Sequence, residues 1–259
     1  MFHKTTSGTT GKPVQVWQSR EVVKEWYSVF EARCRRWNGV SRHDRWANIG
    51  GQLVAEVEST SPPFWVWNEG LNQLYMSSYH LSPDLIPSYL KALRKYNIDY
   101  LWGYSSSLHA LGRTAIRENE RIPMKVALTN AEPLMDHQRE AISNAFQCPV
   151  IETYGQVEGV TAASECEKGS MHLWPEVGIL EVVDGNDDPA PQGETGEFIC
   201  TGLLNADTPL IRYRLGDRGA MGEKPCTCGR MLPVLKTVEG RTDDVLIMPD
   251  GRRVGDRKS

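Results

Sequence analysis

No stretch of this chain reaches the roughly 18–20 consecutive apolar residues that a membrane helix needs. The N-terminus, MFHKTTSGTTGK, also lacks the apolar centre of a secretion signal. The expectation is therefore a cytoplasmic protein with no membrane span. An excess of positive charge is missing too: 29 Lys and Arg stand against 33 Asp and Glu, a formal net charge of −4. Proteins that hold nucleic acid by neutralising phosphates are markedly basic, so no nucleic-acid partner is expected. Cysteine is scarce, with six in 259 residues. Cys226 and Cys228, separated by one residue, are too close for an ordinary structural disulfide, which points to reduced thiols and a metal. Internal repeats and low-complexity tracts are absent. What is present is an ordinary globular mix, 40% hydrophobic and 24% charged, long enough for one large domain or two moderate ones.

Val23, Trp26, Phe30, Cys34 and Trp37 recur at helical spacing and predict an amphipathic helix over 21–38. From residue 98 short apolar runs alternate with helical patterns: strand 99–102, helix 106–119, strand 124–129, helix 136–146, strand 150–153. That alternation reads as βαβαβ and a parallel sheet. Beyond about residue 175 the texture changes to short strands at 178–184, 196–202 and 232–238 between Gly/Pro/Asp turns, which predicts antiparallel β structure. Asp250-Gly251 reads as a two-residue hairpin turn. The expected division is an α/β core at 1–175, a smaller β-rich subdomain at 176–242, and a short segment at 243–259.

The densest motif is Thr5-Thr6-Ser7-Gly8-Thr9-Thr10-Gly11-Lys12-Pro13. Hydroxyl donors, glycines that admit a close ligand, and a lysine suit a polyphosphate, although Ser/Gly/Thr stretches also serve as linkers. Two residues, not four, separate Gly8 from Gly11, and Pro13 follows Lys12, so this is not the NTPase P-loop. Three segments follow the proposed parallel strands, where such sheets bind ligands: Gly103-Tyr104-Ser105, Asn130-Ala131-Glu132-Pro133, and Tyr154-Gly155-Gln156-Val157-Glu158.

In this order TTSGTTGKP, NAEP, ETYGQVEG, PLIRYRLGDR and EGRTDD resemble the adenylate-forming acid–ligase superfamily, and within it the phenylacetate–coenzyme A ligase family with its capsule-biosynthesis-type members. The resemblance implies that a carboxylic acid attacks the α-phosphate of ATP, pyrophosphate leaves, and the acyl group passes to a thiol, usually that of coenzyme A. It implies that Thr6, Ser7, Gly8, Thr9, Thr10, Gly11 and Lys12 hold the β- and γ-phosphates. Ala131, Glu132 and Pro133 would line the adenine, Tyr154 would stack on it, and Gly155 would adjoin it. Glu158 would ligate Mg²⁺, Asp217 would take the ribose hydroxyls, and Arg241 would reach the ribose or phosphate. Lys12 and Glu158 would carry the catalytic part, and Asp243 or Asp244 the hinge of a C-terminal lid. Two departures stand out. Val157 occupies a place where relatives usually carry Ser or Thr. The chain also begins at the phosphate loop and ends at Ser259, without the family's N-terminal segment and lid lysine, so slow or absent turnover is expected of it alone.

Cys166 and His172, followed by Cys226 and Cys228, form a soft ligand set that suits a closed structural Zn²⁺ site. Their spacing is not a standard finger and leaves core cysteines with a surface histidine as the alternative; the resemblance favours zinc. Cys34, Cys148 and Cys200 sit in apolar surroundings and read as core. Trp46, Trp65, Trp67, Trp102 and Tyr104 form either an acid-binding aromatic wall or plain core. The leading expectation is the nucleotide-binding core of an AMP-forming acid ligase, with a homodimer left open. The rivals are a non-catalytic homologue that binds a nucleotide or a protein partner, and a zinc-stabilised β-domain.

Overall fold

A computed structural model of the chain describes residues 1–5, 13–222, 224–241, 245–247 and 253–255. It opens with an antiparallel hairpin, β1 (Phe2–Thr5) and β2 (Gln15–Gln18), in which Thr5 faces Gln15 across residues 6–14. Helix α1 (Arg20–Phe30) follows, burying Val22 and Phe30. The helix predicted over 21–38 ends here in its α form. Glu31–Arg35 continues as a π turn and Arg36–Asn38 as a 3₁₀ turn, closed by Gly39 at φ 70.

Two compact units are distinguished, residues 31–154, and residues 1–30 with 155–259. The first contains β3 (Trp46–Gly50), β4 (Trp65–Asn68), β5 (Gln73–Ser77), α2 (Ile86–Lys95), β6 (Tyr100–Tyr104), α3 (Ser105–Arg117), β7 (Val126–Asn130), α4 (Asp136–Phe146) and β8 (Val150–Gly155). Its strand order is β8-β7-β6-β3-β5-β4. All neighbours are parallel except β4 and β5, so the βαβαβ reading from 98 onward stands. Ala47, Ile49, Leu74, Met76, Leu101 and Ala127 alternate along the strands onto one face. That face meets Leu90, Leu93, Leu108, Leu111, Ile142 and Phe146 of the three helices in the core.

In the second unit β9 (Ala162–Glu165), β10 (Met171–Leu173), β11 (Gly178–Val183), β12 (Gly196–Gly202), β13 (Tyr213–Met221) and β14 (Val234–Arg241) form an antiparallel sheet in the order β11-β12-β13-β14-β10-β9. Three of these strands match the expected runs. β13 carries the Arg214–Asp217 motif and has no clean alternation, so periodicity missed it. Because β10 hydrogen-bonds β14, the compact unit does not begin at residue 175; it takes in β9 and β10. Trp174 anchors this unit, its indole N–H donating to Ser164 Oγ at 3.1 Å and its ring lying 5.9 Å from Trp26 and 6.1 Å from Phe30 of α1. The last described strands, β15 (Val245–Ile247) and β16 (Arg253–Gly255), pair Ile247 with Arg253. Asp250-Gly251, expected as a two-residue hairpin turn, lies outside the described residues. No helix among the described residues is long and apolar enough to cross a membrane.

Gly103 shows why β6 can lie against β3. A Cβ there would sit 2.6 Å from the Ile49 carbonyl oxygen, a backbone atom that cannot swing aside. Gly103→Ala should lower unfolding stability by about 1–3 kcal/mol, as overpacking does, with an earlier urea midpoint. An unchanged midpoint would mean that the strands separate without cost.

Candidate functional site

At the carboxyl ends of the parallel strands, local hydrogen bonds fix each loop. Tyr104 ends β6 and Ser105 begins α3 without a connecting residue. The Ser105 hydroxyl donates to the Glu132 carbonyl at 3.1 Å, and the Ser106 amide donates to Glu132 Oε2 at 2.8 Å. The Glu132 carboxylate thus caps the positive end of α3, leaving chiefly its backbone for a ligand. Ala131 adopts φ 63, an unusual left-handed conformation for a residue with a Cβ that no sequence signal announces. The Leu134 amide donates to Glu152 Oε1 at 3.0 Å, and the Thr153 hydroxyl to the Thr129 carbonyl at 2.7 Å, tying the Ala131–Pro133 loop to β8. Asn130 Oδ1 is buried with no hydrogen-bond partner among the described residues. Tyr154 is half-buried, one residue before the end of β8.

The expected aromatic wall divides. Trp65 and Trp67 pack against Tyr89 and Tyr96, at 5.6 and 5.2 Å between ring centroids, and so belong to the α2 side. Trp46, Trp102 and Tyr104 alternate onto the other face. There Trp46 stacks on Tyr100 at 5.9 Å beneath the Arg35 guanidinium, 4.7 Å from its ring.

In the second unit Glu158 is only 5% exposed, in the turn closed by the Gly159 amide donating to the Gln156 carbonyl at 3.1 Å, with Gly159 at φ 65. The Tyr213 hydroxyl donates to Glu158 Oε1 at 3.3 Å. A buried carboxylate with so little compensation is suited to a cation. Val157, beside it, is 44% exposed. Asp217 on β13 is the register partner of Arg241 on β14. The sequence treated these two as separate motifs, and strand pairing sets their backbones side by side. Thr6, Ser7, Gly8, Thr9, Thr10, Gly11, Lys12, Asp243 and Asp244 lie outside the described residues.

Cys166, His172, Cys226 and Cys228 converge, their ligand atoms all within 4.8 Å of one another. Cys166 Sγ lies 3.7 Å from Cys226 Sγ, and Cys228 Sγ lies 3.3 Å from His172 Nε2. Backbone amides point at the sulfurs: Lys168 N donates to Cys166 Sγ and Cys228 N to Cys226 Sγ, both at 3.4 Å, and Arg230 N to Cys228 Sγ at 3.5 Å. The Arg230–Glu167 ion pair at 2.7 Å joins the two loops. His172 is fully buried, so the alternative of a surface histidine fails. Cys34, Cys148 and Cys200 are buried elsewhere, as expected of core residues.

These environments separate the thiols. A hydrogen bond from the Ser170 hydroxyl, acting against burial and aided by Cys228 and His172, draws Cys226 down to about 6. Burial pushes Cys34, Cys148 and Cys200 up to about 12. Because the thiolate is the nucleophile, alkylation of metal-free protein at pH 7 should begin at Cys226 and slow as pH falls through about 6. Peptide mapping should find Cys34, Cys148 and Cys200 unlabelled. Uniform labelling of all six would show that these environments do not persist in solution.

The chain matches the family described as AMP-binding enzyme over residues 4–206. It is 28% identical over 250 residues to Protein CapK of Staphylococcus aureus, covering 93% of this chain and 53% of CapK. To the phenylacetate-coenzyme A ligase of Escherichia coli K12 it is 27% identical over 263 residues, covering 94% of this chain and 55% of the ligase. The chain thus spans about half the length of these relatives. Among solved structures it resembles 2-hydroxyisobutyryl-CoA ligase in complex with R3-HIB-AMP, with TM-score 0.72 and 19% identity over 98% of this chain and 54% of that one. It also resembles O-succinylbenzoate coenzyme A synthetase of Bacillus subtilis in complex with ATP and magnesium ion, with TM-score 0.60 and 18% identity over 98% of this chain and 52% of that one. At such identities the likeness is one of fold, while the match over 4–206 assigns the family: the chain belongs to the AMP-binding enzymes.

Proposed function

We propose that this chain binds ATP with Mg²⁺ and activates a small carboxylic acid as its acyl-adenylate for transfer to coenzyme A, as a cytoplasmic acid–thiol ligase. The observation that carries the reading is that the NAEP, ETYGQVEG and RYRLGD motifs lie at strand ends, turns and strands tied by the hydrogen bonds described above. Relatives named phenylacetate-coenzyme A ligase, and neighbours whose structures hold acyl-AMP or ATP with magnesium, support it.

In this reading Tyr154 stacks on the adenine, the backbone of Ala131, Glu132 and Pro133 lines it, and an exocyclic amine would satisfy the buried Asn130 Oδ1. Asp217 accepts from the ribose hydroxyls, and Arg241 supplies a positive charge to the ribose or phosphate. Lys12 and the hydroxyls of Thr6, Ser7, Thr9 and Thr10 supply charge and hydrogen bonds to the β- and γ-phosphates. Glu158, held by Tyr213, would hold Mg²⁺, which when bound supplies charge neutralisation at the triphosphate. The protein's contribution is positioning: the acid's carboxylate is set in line with the leaving pyrophosphate. Exposed Val157 offers no hydroxyl to the phosphate, which favours a second reading, nucleotide binding without turnover.

Isothermal titration with ATP and Mg²⁺ should show one site. Tyr154→Ala and Asp217→Ala should each weaken it by about 1–3 kcal/mol, the worth of a base stack or a charged hydrogen bond. Affinities equal to the parent's would reject the adenine and ribose assignments. Pyrophosphate exchange into ATP, dependent on added acid, separates the two readings of turnover.

The Cys166, His172, Cys226 and Cys228 cluster would hold Zn²⁺. Thiolate ligands about 2.3 Å from a tetrahedral zinc stand about 3.8 Å apart, close to the 3.7 Å between Cys166 and Cys226. With four protein ligands the metal would be structural, clipping two loops together. Elemental analysis should give about one zinc per chain. Cys226→Ser or Cys228→Ser should remove it and lower the Tm, whereas a metal-free parent that melts like the variants would reject the site.

A further inference from the structure

Strand β3 runs at its carboxyl end into Gly50-Gly51, and three phenol oxygens crowd that point. A Cβ on Gly51 would stand 2.9 Å from the Tyr104 hydroxyl oxygen and 3.6 Å from that of Tyr79; a Cβ on Gly50 would stand 2.9 Å from that of Tyr75. Two consecutive glycines therefore keep clear a spot that side chains from three separate segments approach with their polar tips. The hydrogen bonds there assign roles. The Gly51 amide donates to Tyr104 Oη at 3.2 Å, and the Tyr79 hydroxyl donates to the Gly51 carbonyl at 3.0 Å. Tyr104 thus keeps its own proton to donate, and Tyr79 keeps its lone pairs to accept.

A donor beside an acceptor is the complement of one alcohol group, which accepts and donates at the same oxygen. The position is the ligand end of a parallel sheet, beyond the carboxyl ends of β3 and β6. Tyr79 is 56% exposed and Tyr104 half-buried, whereas Tyr89 and Tyr100 of the same unit are buried in packing. Resting on the acid-activating reading above, we propose that Tyr79 and Tyr104 are specificity-determining residues that read a hydroxyl on the acyl chain, so that the substrate class is a hydroxylated carboxylic acid. A hydrocarbon acyl group returns neither hydrogen bond. Because Tyr79 remains open to water, which can substitute for the missing partner, the preference is about tenfold rather than the several orders of magnitude of a sealed site.

The test uses sulfamoyl analogues of the acyl-adenylate, titrated calorimetrically into the whole chain beside AMP. The set is 2-, 3- and 4-hydroxybutanoyl and unsubstituted butanoyl 5′-O-sulfamoyladenosine. One hydroxylated analogue should bind about tenfold more tightly than the butanoyl compound. Tyr79→Phe and Tyr104→Phe should each bring that ratio towards one while AMP affinity stays at the parent's value. Should Tyr104→Phe melt early through loss of the Gly51 bond, the exposed Tyr79→Phe decides alone. If AMP binds and no hydroxylated analogue exceeds butanoyl, or if the ratio survives in Tyr79→Phe, the specificity proposal fails and the nucleotide reading stands. If neither AMP nor any analogue binds the parent, the nucleotide reading fails and takes this proposal with it.

Discussion

The parallel hydrogen-bond ladder running from β3 through β6 and β7 to β8 is the constraint on which the first unit depends. Parallel strands all point the same way, so their carboxyl ends reach one edge of the sheet, and there the β6–α3 junction and the loop after β7 are presented together. The register Tyr104↔Asn130 sets the end of β6 beside the loop that carries Ala131, Glu132 and Pro133. Gly103 permits this register, since any side chain there would strike the backbone of β3. Once strand direction is set, the Glu132 cap on α3 and the Glu152 bond to the Leu134 amide hold the loops in a single conformation.

In the second unit strand pairing gathers a cluster of soft side chains. His172 lies on β10, and β10 pairs with β14, placing His172 opposite Val234 just after the segment that carries Cys226 and Cys228. Strand pairing thus delivers side chains from two segments about fifty residues apart to within a few ångströms of one another. The two thiols differ: the Ser170 hydroxyl and the Cys228 amide favour the Cys226 thiolate, while burial outweighs the Lys168 amide and pushes Cys166 up.

Much of this was legible in the sequence where the signal was local. Helix α4 occupies the predicted span, because its apolar spacing is helical and residues flanking it end the pattern. The strands at 178, 196 and 234 follow simple runs of β-branched and apolar residues. Cys34, Cys148 and Cys200 were readable as core from their apolar neighbours. Other features were out of reach for a common reason. Trp65 and Trp67 were grouped with Trp102 by composition, yet strand alternation sends them to the opposite face. Glu132 is expected from the motif to line the adenine, but no local pattern shows that its carboxylate accepts from the Ser106 amide at the N-terminus of α3, a partner 26 residues away.

The sequence by itself determined the family, the βαβαβ order and the antiparallel second half, since each is written in neighbouring residues or in short motifs in a fixed order. Only the tertiary structure decided that Asp217 and Arg241 lie on paired strands, that His172 is buried among three thiols, and that Tyr79 and Tyr104 bracket Gly51. Such convergence depends on strand register and on which face a side chain takes. A shift of one residue reverses the face without changing the composition, so the long-range partner is fixed by packing alone.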